Sequence, residues 1–203
     1  RTSSSIPLTH REPEYTTFRD LKLWLGTWNV NGKKIDENIN MWFTGSVTGK
    51  PTADIYVIGL EEMVDLTATT VVLEAQSQKR ASVWLEMIGN TLNKSAKNDV
   101  GFIGGIIQET TYVMVESQIL VGVFLCVFVR KSLRSRIQDV MSPSLSLPSH
   151  PATTAATGLL GMMGNKGGAA IRMKLMDSTV CFVCSHLAAH RENVAGRNAD
   201  FHK

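Results

Sequence analysis

The chain has 203 residues, 43% of them apolar, 7% aromatic and 19% charged, with a formal net charge of +3 and three cysteines. That length and apolar share suffice for one domain with a sizeable core. The charge is too small to argue for nucleic-acid binding by itself, and three cysteines in apolar runs do not make a disulfide framework.

Arg1 to Asp20 is polar at first, holds two prolines and has no periodicity, so it reads as an N-terminal arm or linker. Leu21 to Asn29 alternates and is rich in β-formers, which predicts a strand ending at Asn29. Asp36 to Phe43 suits a short helix. Ala53 to Gly59 reads as a second, buried strand whose C-terminal end delivers Glu61 and Glu62. Ser82 to Leu92 predicts a helix with Val83, Leu85, Met87, Ile88 and Leu92 on its apolar face. Beyond Val100 the pattern turns strand-rich, with segments at 102–108, 112–115, 119–129, 136–140, 169–175 and 179–184. His190 to His202 then opens a helix. Residues 141–157, full of Ser, Pro, Thr and Ala, read as a loop insertion. Strands, a helix and then several strands with short turns predict an α/β fold, a two-layer sandwich of mixed sheets flanked by helices.

Ile119 to Val129 is the longest apolar run, about half the ~20 residues a membrane-spanning helix needs. Cys181-Phe-Val-Cys184 has CxxC spacing, but in a strand residues three apart point to opposite faces. All three thiols are therefore expected to be reduced core residues, which fits a cytoplasmic compartment.

Charge is unevenly spread. No Lys or Arg lies between Pro51 and Gln78, a stretch holding Asp54, Glu61, Glu62, Asp65 and Glu74, whereas Arg130 to Arg136 carries four basic residues and no acid. Cations are drawn to the first region and anions or a membrane surface to the second, unless both are ordinary solvated surface. Asn29 and Glu62, at the ends of two predicted strands, offer hard oxygen ligands. Mg²⁺ accepts such a sparse donor set, leaving its other positions to water and phosphate. Gly164-Asn-Lys-Gly-Gly168 is not a P-loop, because no Gly directly precedes Lys166, no Ser or Thr follows it, and a strand comes next. A tight glycine turn whose amides and Lys166 face a phosphate is the alternative. His186 and His190 lie four apart, but the first falls at a strand end and no third ligand stands at zinc spacing.

Trp28-Asn-Val-Asn-Gly32, Gly59-Leu-Glu-Glu-Met-Val64, Gly164-Asn-Lys-Gly-Gly168, Ser185-His-Leu-Ala-Ala-His190 and Arg197-Asn-x-Asp200 occur in this order. In this combination the chain resembles the inositol polyphosphate 5-phosphatases, from about Leu21 to its end. The resemblance implies an endonuclease/exonuclease/phosphatase-like fold, of which residues 21–203 would form the N-terminal portion. It implies Mg²⁺-dependent removal of the 5-phosphate from phosphoinositides or soluble inositol polyphosphates by direct attack of water. Glu62 would be the principal metal ligand, with Asn29 and Asn31 beside it and Glu61 behind. His186 would donate to the scissile phosphate, and Lys166, His190, Arg197 and Asn198 would hold the remaining phosphates. A cytoplasmic protein visiting a membrane surface peripherally follows, with no nucleic-acid partner. The family's later Gly-Asp-x-Asn-Tyr-Arg and Ser-Asp-His segments do not occur in the sequence. The chain by itself is therefore expected to lack the general base, to be catalytically inactive and to expose an aggregating sheet edge. A noncatalytic phosphoinositide-binding fragment and a Mg²⁺-dependent nuclease of the same fold are the competing readings.

Overall fold

Two sheets face each other, and two of the helices cover the outer face of one of them. In the computed structural model, residues 12–34, 38–46, 48–64, 70–93, 111–120, 122–142, 154–157 and 166–202 are described. After one helical turn, α1 (Glu12–Tyr15), come β1 (Leu23–Asn29), α2 (Asn40–Thr44), β2 (Ile55–Glu61) and the long helix α3 (Thr70–Asn93). There follow β3 (Tyr112–Leu120), β4 (Val123–Arg130), a 3₁₀ segment (Lys131–Arg136), β5 (Ile137–Met141), β6 (Thr154–Thr157), β7 (Lys166–Leu175), β8 (Ser178–His186) and α4 (Val194–Phe201).

The first sheet runs β1-β2-β4-β3, with β1 and β2 parallel and the other pairs antiparallel. In the second sheet β8 pairs with the whole length of β7, while β6 and β5 pair with its N- and C-terminal halves, all antiparallel. Strand β4, Val-Phe-Leu-Cys-Val-Phe-Val, has no polar residue before Arg130 because both its faces are covered. Phe124, Cys126 and Phe128 turn toward α3 and join Tyr56, Ile58, Leu60, Trp84, Ile88 and Leu92. Val123, Leu125, Val127 and Val129 turn the other way and join Ile55, Val57, Ile171, Met173 and Phe182 between the sheets. The predicted sandwich of two sheets with flanking helices is what the chain forms.

Several local expectations give way. The apolar run at 119–129 is not one strand. It breaks where Leu120 faces Val123 across a tight turn in which Gly122 takes φ +75°. Composition cannot show that break, because a two-residue turn needs only one glycine. Helix α3 begins well before Ser82, and its buried stripe is Ser77, Ala81, Trp84, Ile88 and Leu92 at helical spacing. Val83, expected on the apolar face, is 59% exposed. Helix α2 starts at Asn40 and ends on Gly45 in the left-handed region. Residues 154–157, read as part of a loop insertion, form β6 against β7. The strand expected at 102–108 lies outside the described residues. Cys126 and Cys184 are buried and free, but Cys181 is free and exposed, because β8's outer face is open to solvent. No helix among the described residues is long and apolar enough to cross a membrane.

Candidate active site

The site is assembled from two turns at the same end of neighbouring strands. Parallel register sets Asn29 opposite Glu61, so the chain leaves both strands side by side. Val30 N–H donates to the Glu61 carbonyl at 2.9 Å and Gly32 N–H to the Glu62 carbonyl at 2.7 Å, which ties the exits together. Asn31, Gly32 and Glu62 all take positive φ, at 48°, 63° and 53°. Asparagine and glycine accept that region readily, but a glutamate does not, and such backbone strain collects at functional positions. The Asn29 side-chain carbonyl accepts from Asn31 N–H at 3.0 Å and retains a second lone pair.

Arg80 secures the arrangement from the helical side. Its Nη1 donates to the Gly32 carbonyl at 2.5 Å and to the Met63 carbonyl at 2.6 Å. One guanidinium nitrogen thus bridges the loop after β1 and the loop after β2. Met63 N–H in turn donates to Gly122 O in the β3–β4 turn. Arg80 gave no sequence signal, since only its position over two carbonyls distinguishes it.

The second sheet contributes His186, the last residue of β8. Its ring is buried, and Nε2 stands 3.5 Å from Glu62 Oε1. Gly59 permits this closeness. A Cβ there would lie 2.7 Å from Cys184 Sγ, so any larger residue would push β8 away from β2. The antiparallel register also sets Gly167 opposite His186 and Gly168 opposite Ser185, which brings the glycine-lysine segment alongside the histidine segment. Gly167 has φ 152°. Lys166 opens β7 opposite Thr157, while Gly164 and Asn165 lie outside the described residues.

His190 falls in a turn with φ 74°, ahead of the helix rather than inside it. Asn193 starts α4, its side-chain oxygen accepting from Gly196 N–H at 3.0 Å. The two amino groups of Arg197 donate to the His190 and Arg191 carbonyls, at 2.5 and 2.9 Å, and so hold that turn in place. His190 and Asn198 are exposed. The basic stretch at 130–136 is partly structural, since Arg130 Nε pairs with Asp54 at 3.1 Å.

Among the described residues, no group of three or more His, Cys, Asp and Glu gathers to hold a metal. A carboxylate and an amide oxygen at adjoining strand ends do fit a hard, largely hydrated cation, which needs few protein ligands. The family model described as "Endonuclease/Exonuclease/phosphatase family 2" matches residues 26–203. The chain belongs to this family. Its curated relatives include a synaptojanin of Caenorhabditis elegans, 32% identical over 96% of this chain and 16% of the relative. The type I inositol polyphosphate 5-phosphatase 8 of Arabidopsis thaliana is 33% identical over 84% of this chain and 38% of the relative. The chain therefore spans well under half the length of either. Among solved structures, the inositol polyphosphate 5-phosphatase domain of SPsynaptojanin, in complex with inositol (1,4)-bisphosphate and calcium ion, superposes with a TM-score of 0.70. It is 29% identical, with 96% of this chain covering 48% of that domain. A Cimex nitrophorin at 10% identity and a TM-score of 0.52 shares the fold alone.

Proposed function

We propose that this chain contributes the metal half-site and the phosphate-binding half-site of an inositol phosphate 5-phosphatase. The substrate is a phosphoinositide or a soluble inositol polyphosphate, and the product is the 5-dephosphorylated compound and inorganic phosphate. The observation that supports this reading best is the 3.5 Å approach of His186 Nε2 to Glu62 Oε1. It brings together side chains from two sheets, next to a glycine segment able to present amides to an anion. The 5-phosphatase names of the relatives point the same way.

Glu62 would be the dominant Mg²⁺ ligand, with Asn29 at the end of β1 and Asn31 in the turn after it as its companions. A Mg²⁺ ion held there would supply Lewis-acid stabilisation of charge on the phosphoryl oxygens. His186 donates a hydrogen bond to the scissile phosphate as charge grows there. Burial fixes its ring, and a preorganised donor is worth more in such a place than a mobile one. Lys166, His190, Arg197 and Asn198 hold the remaining phosphates. Arg197 acts partly by fixing the turn that presents His190. Water attacks phosphorus directly, and the phosphate leaves with the inositol 5-hydroxyl restored. A cradle for clustered phosphates suits an inositol phosphate better than nucleic acid, and in this reading the protein is cytoplasmic and visits a membrane surface peripherally.

Phosphate release from phosphatidylinositol 4,5-bisphosphate and from inositol 1,4,5-trisphosphate, measured with Mg²⁺ on the whole protein, tests this reading. Glu62→Gln and His186→Ala should each lower turnover about a hundredfold or more while the fold persists. Unchanged turnover in both would exclude this site.

A further inference from the structure

A separate cavity of roughly 530 Å³ opens between the segment after β1 and the outer side of α3. Its walls carry Lys33, Lys34, Lys79 and Arg80 around an apolar floor that includes Val83 and Trp84. Among the described residues that line it there is no carboxylate. That size lies within the range of small-molecule pockets. Four cations around one concavity repel each other, and a counter-charge of similar multiplicity relieves the repulsion. Arg80 sharpens the case. Its Nη1 is committed to two carbonyls, which fixes the guanidinium, while Nε and Nη2 make no hydrogen bond among the described residues. A guanidinium carries five N–H donors in a rigid fork, so with Nη1 held in place the Nε and Nη2 edge is preorganised to clamp an oxyanion.

We propose that this cavity is a second anion site, which takes a small molecule bearing two or more phosphates on a carbon skeleton. The phosphates meet Lys33, Lys34, Lys79 and the Nε and Nη2 of Arg80, and the skeleton rests on Val83 and Trp84. The site is distinct from the half-site at His186. Helix α3 packs on the face of the first sheet that points away from the second, whereas His186, Lys166 and Arg197 belong to the second sheet and its sequel. Arg80 nevertheless joins the two, because the carbonyls it bridges belong to the loops carrying Asn31 and Glu62.

The test measures binding by calorimetry, in a Lys166→Ala/Arg197→Ala background that weakens the substrate side. One probe is soluble inositol hexakisphosphate. The other is phosphatidylcholine vesicles with and without phosphatidylinositol 4,5-bisphosphate. Adding Lys34→Glu and Lys79→Glu should weaken binding at least about tenfold, since each removed cation takes a charge-assisted contact with it. Both lysines are exposed, and an unchanged thermal midpoint would show that the fold persists; Lys34→Gln/Lys79→Gln serves if it does not. Loss with both probes supports a site for free and lipid-borne phosphates alike, and loss with vesicles alone supports a headgroup site. Equal affinity for both probes before and after substitution overturns the proposal. Glu62→Gln should abolish turnover yet keep this binding, so failure here is distinguishable from failure of the phosphatase reading.

Discussion

Gly59 and Cys184 face each other across the two sheets so closely that a single added methyl at residue 59 would lie 2.7 Å from the sulfur. Three residues beyond Gly59 stands Glu62, and two beyond Cys184 stands His186. The contact therefore sets how near the two half-sites come.

Gly59→Ala should cost about 1–3 kcal/mol of stability, the usual penalty for overpacking a tight core. Urea unfolding of the variant beside Gly59→Ala/Cys184→Ala should show partial recovery in the double variant, since removing Sγ relieves the closest contact. No recovery would mean that the strain lies elsewhere.

Lys166→Ala should chiefly raise KM in the whole enzyme. A lost charge-assisted contact is worth ~1.5–3 kcal/mol, or roughly ten- to a hundredfold. The loss should be greater for inositol 1,4,5-trisphosphate than for a simple phosphate monoester. Steady-state kinetics on both substrates decide it, and equal losses would make Lys166 a turn residue only.

Arg80→Met strips donors from two carbonyls at once, so about 1–3 kcal/mol of stability should go with it. Because those carbonyls belong to the loops bearing Asn31 and Glu62, the Mg²⁺ concentration for half-maximal activity should also rise, by roughly ten- to a hundredfold. A variant that is less stable but unchanged in Mg²⁺ dependence would reduce Arg80 to a scaffold residue.

Stability should decline at alkaline pH. Burial, with the Glu61 carboxylate adding to it, pushes the Cys184 thiol up to about 12 from 9.0. Burial also lifts the Tyr112 hydroxyl to about 12 from 10.0, against the opposing pull of Arg130. That hydroxyl donates to the Ala53 carbonyl at 2.8 Å. Both groups stay protonated when folded and ionise earlier when unfolded. The stabilisation is therefore complete below about pH 9 and is lost as pH rises toward 12. Urea midpoints across this range should fall in wild type and fall less in Cys184→Ala/Tyr112→Phe.

Among the described residues β1 pairs only with β2 and β8 only with β7. Leu25 on β1 and Val183 on β8 are 63% and 60% exposed, flanking an apolar groove of about 340 Å³. Exposed edges with apolar side chains recruit other strands. The 203-residue chain should self-associate in sedimentation velocity, and Leu25→Lys/Val183→Lys should shift it toward monomer. A wild-type chain that sediments as a monomer would contradict this.

The sequence made the strand ends carrying Asn29, Glu62 and His186 visible, because apolar runs that stop abruptly at polar residues mark where a sheet delivers its side chains. Periodicity could not give the reach of α3. Its inward stripe begins with Ser77 and Ala81, which look solvent-tolerant until Trp84 and Ile88 are seen on the same face. The Leu120–Val123 turn was hidden for a similar reason, apolar residues continuing on both sides of it. Arg80 left no trace, since main-chain carbonyls carry no sequence signature. Lys166 and His190 were singled out by the motifs that carry the resemblance, yet the pairing of Gly167 with His186 depends on hairpin register, which spacing alone does not determine.

Glu62 and His186 come from different sheets, and between those sheets lies a single apolar layer that includes Val57, Leu125, Ile171 and Phe182. The thickness of that layer helps to set the distance between Glu62 and His186. Volume changes there, such as Ile171→Val or Phe182→Leu, would let the sheets settle by fractions of an ångström with little threat to folding. If the proposed phosphatase reading holds, such settling alters a spacing on which the transfer would depend. Selection on turnover would then be felt by oily residues that never meet substrate, and rate would report on interior volume before stability does.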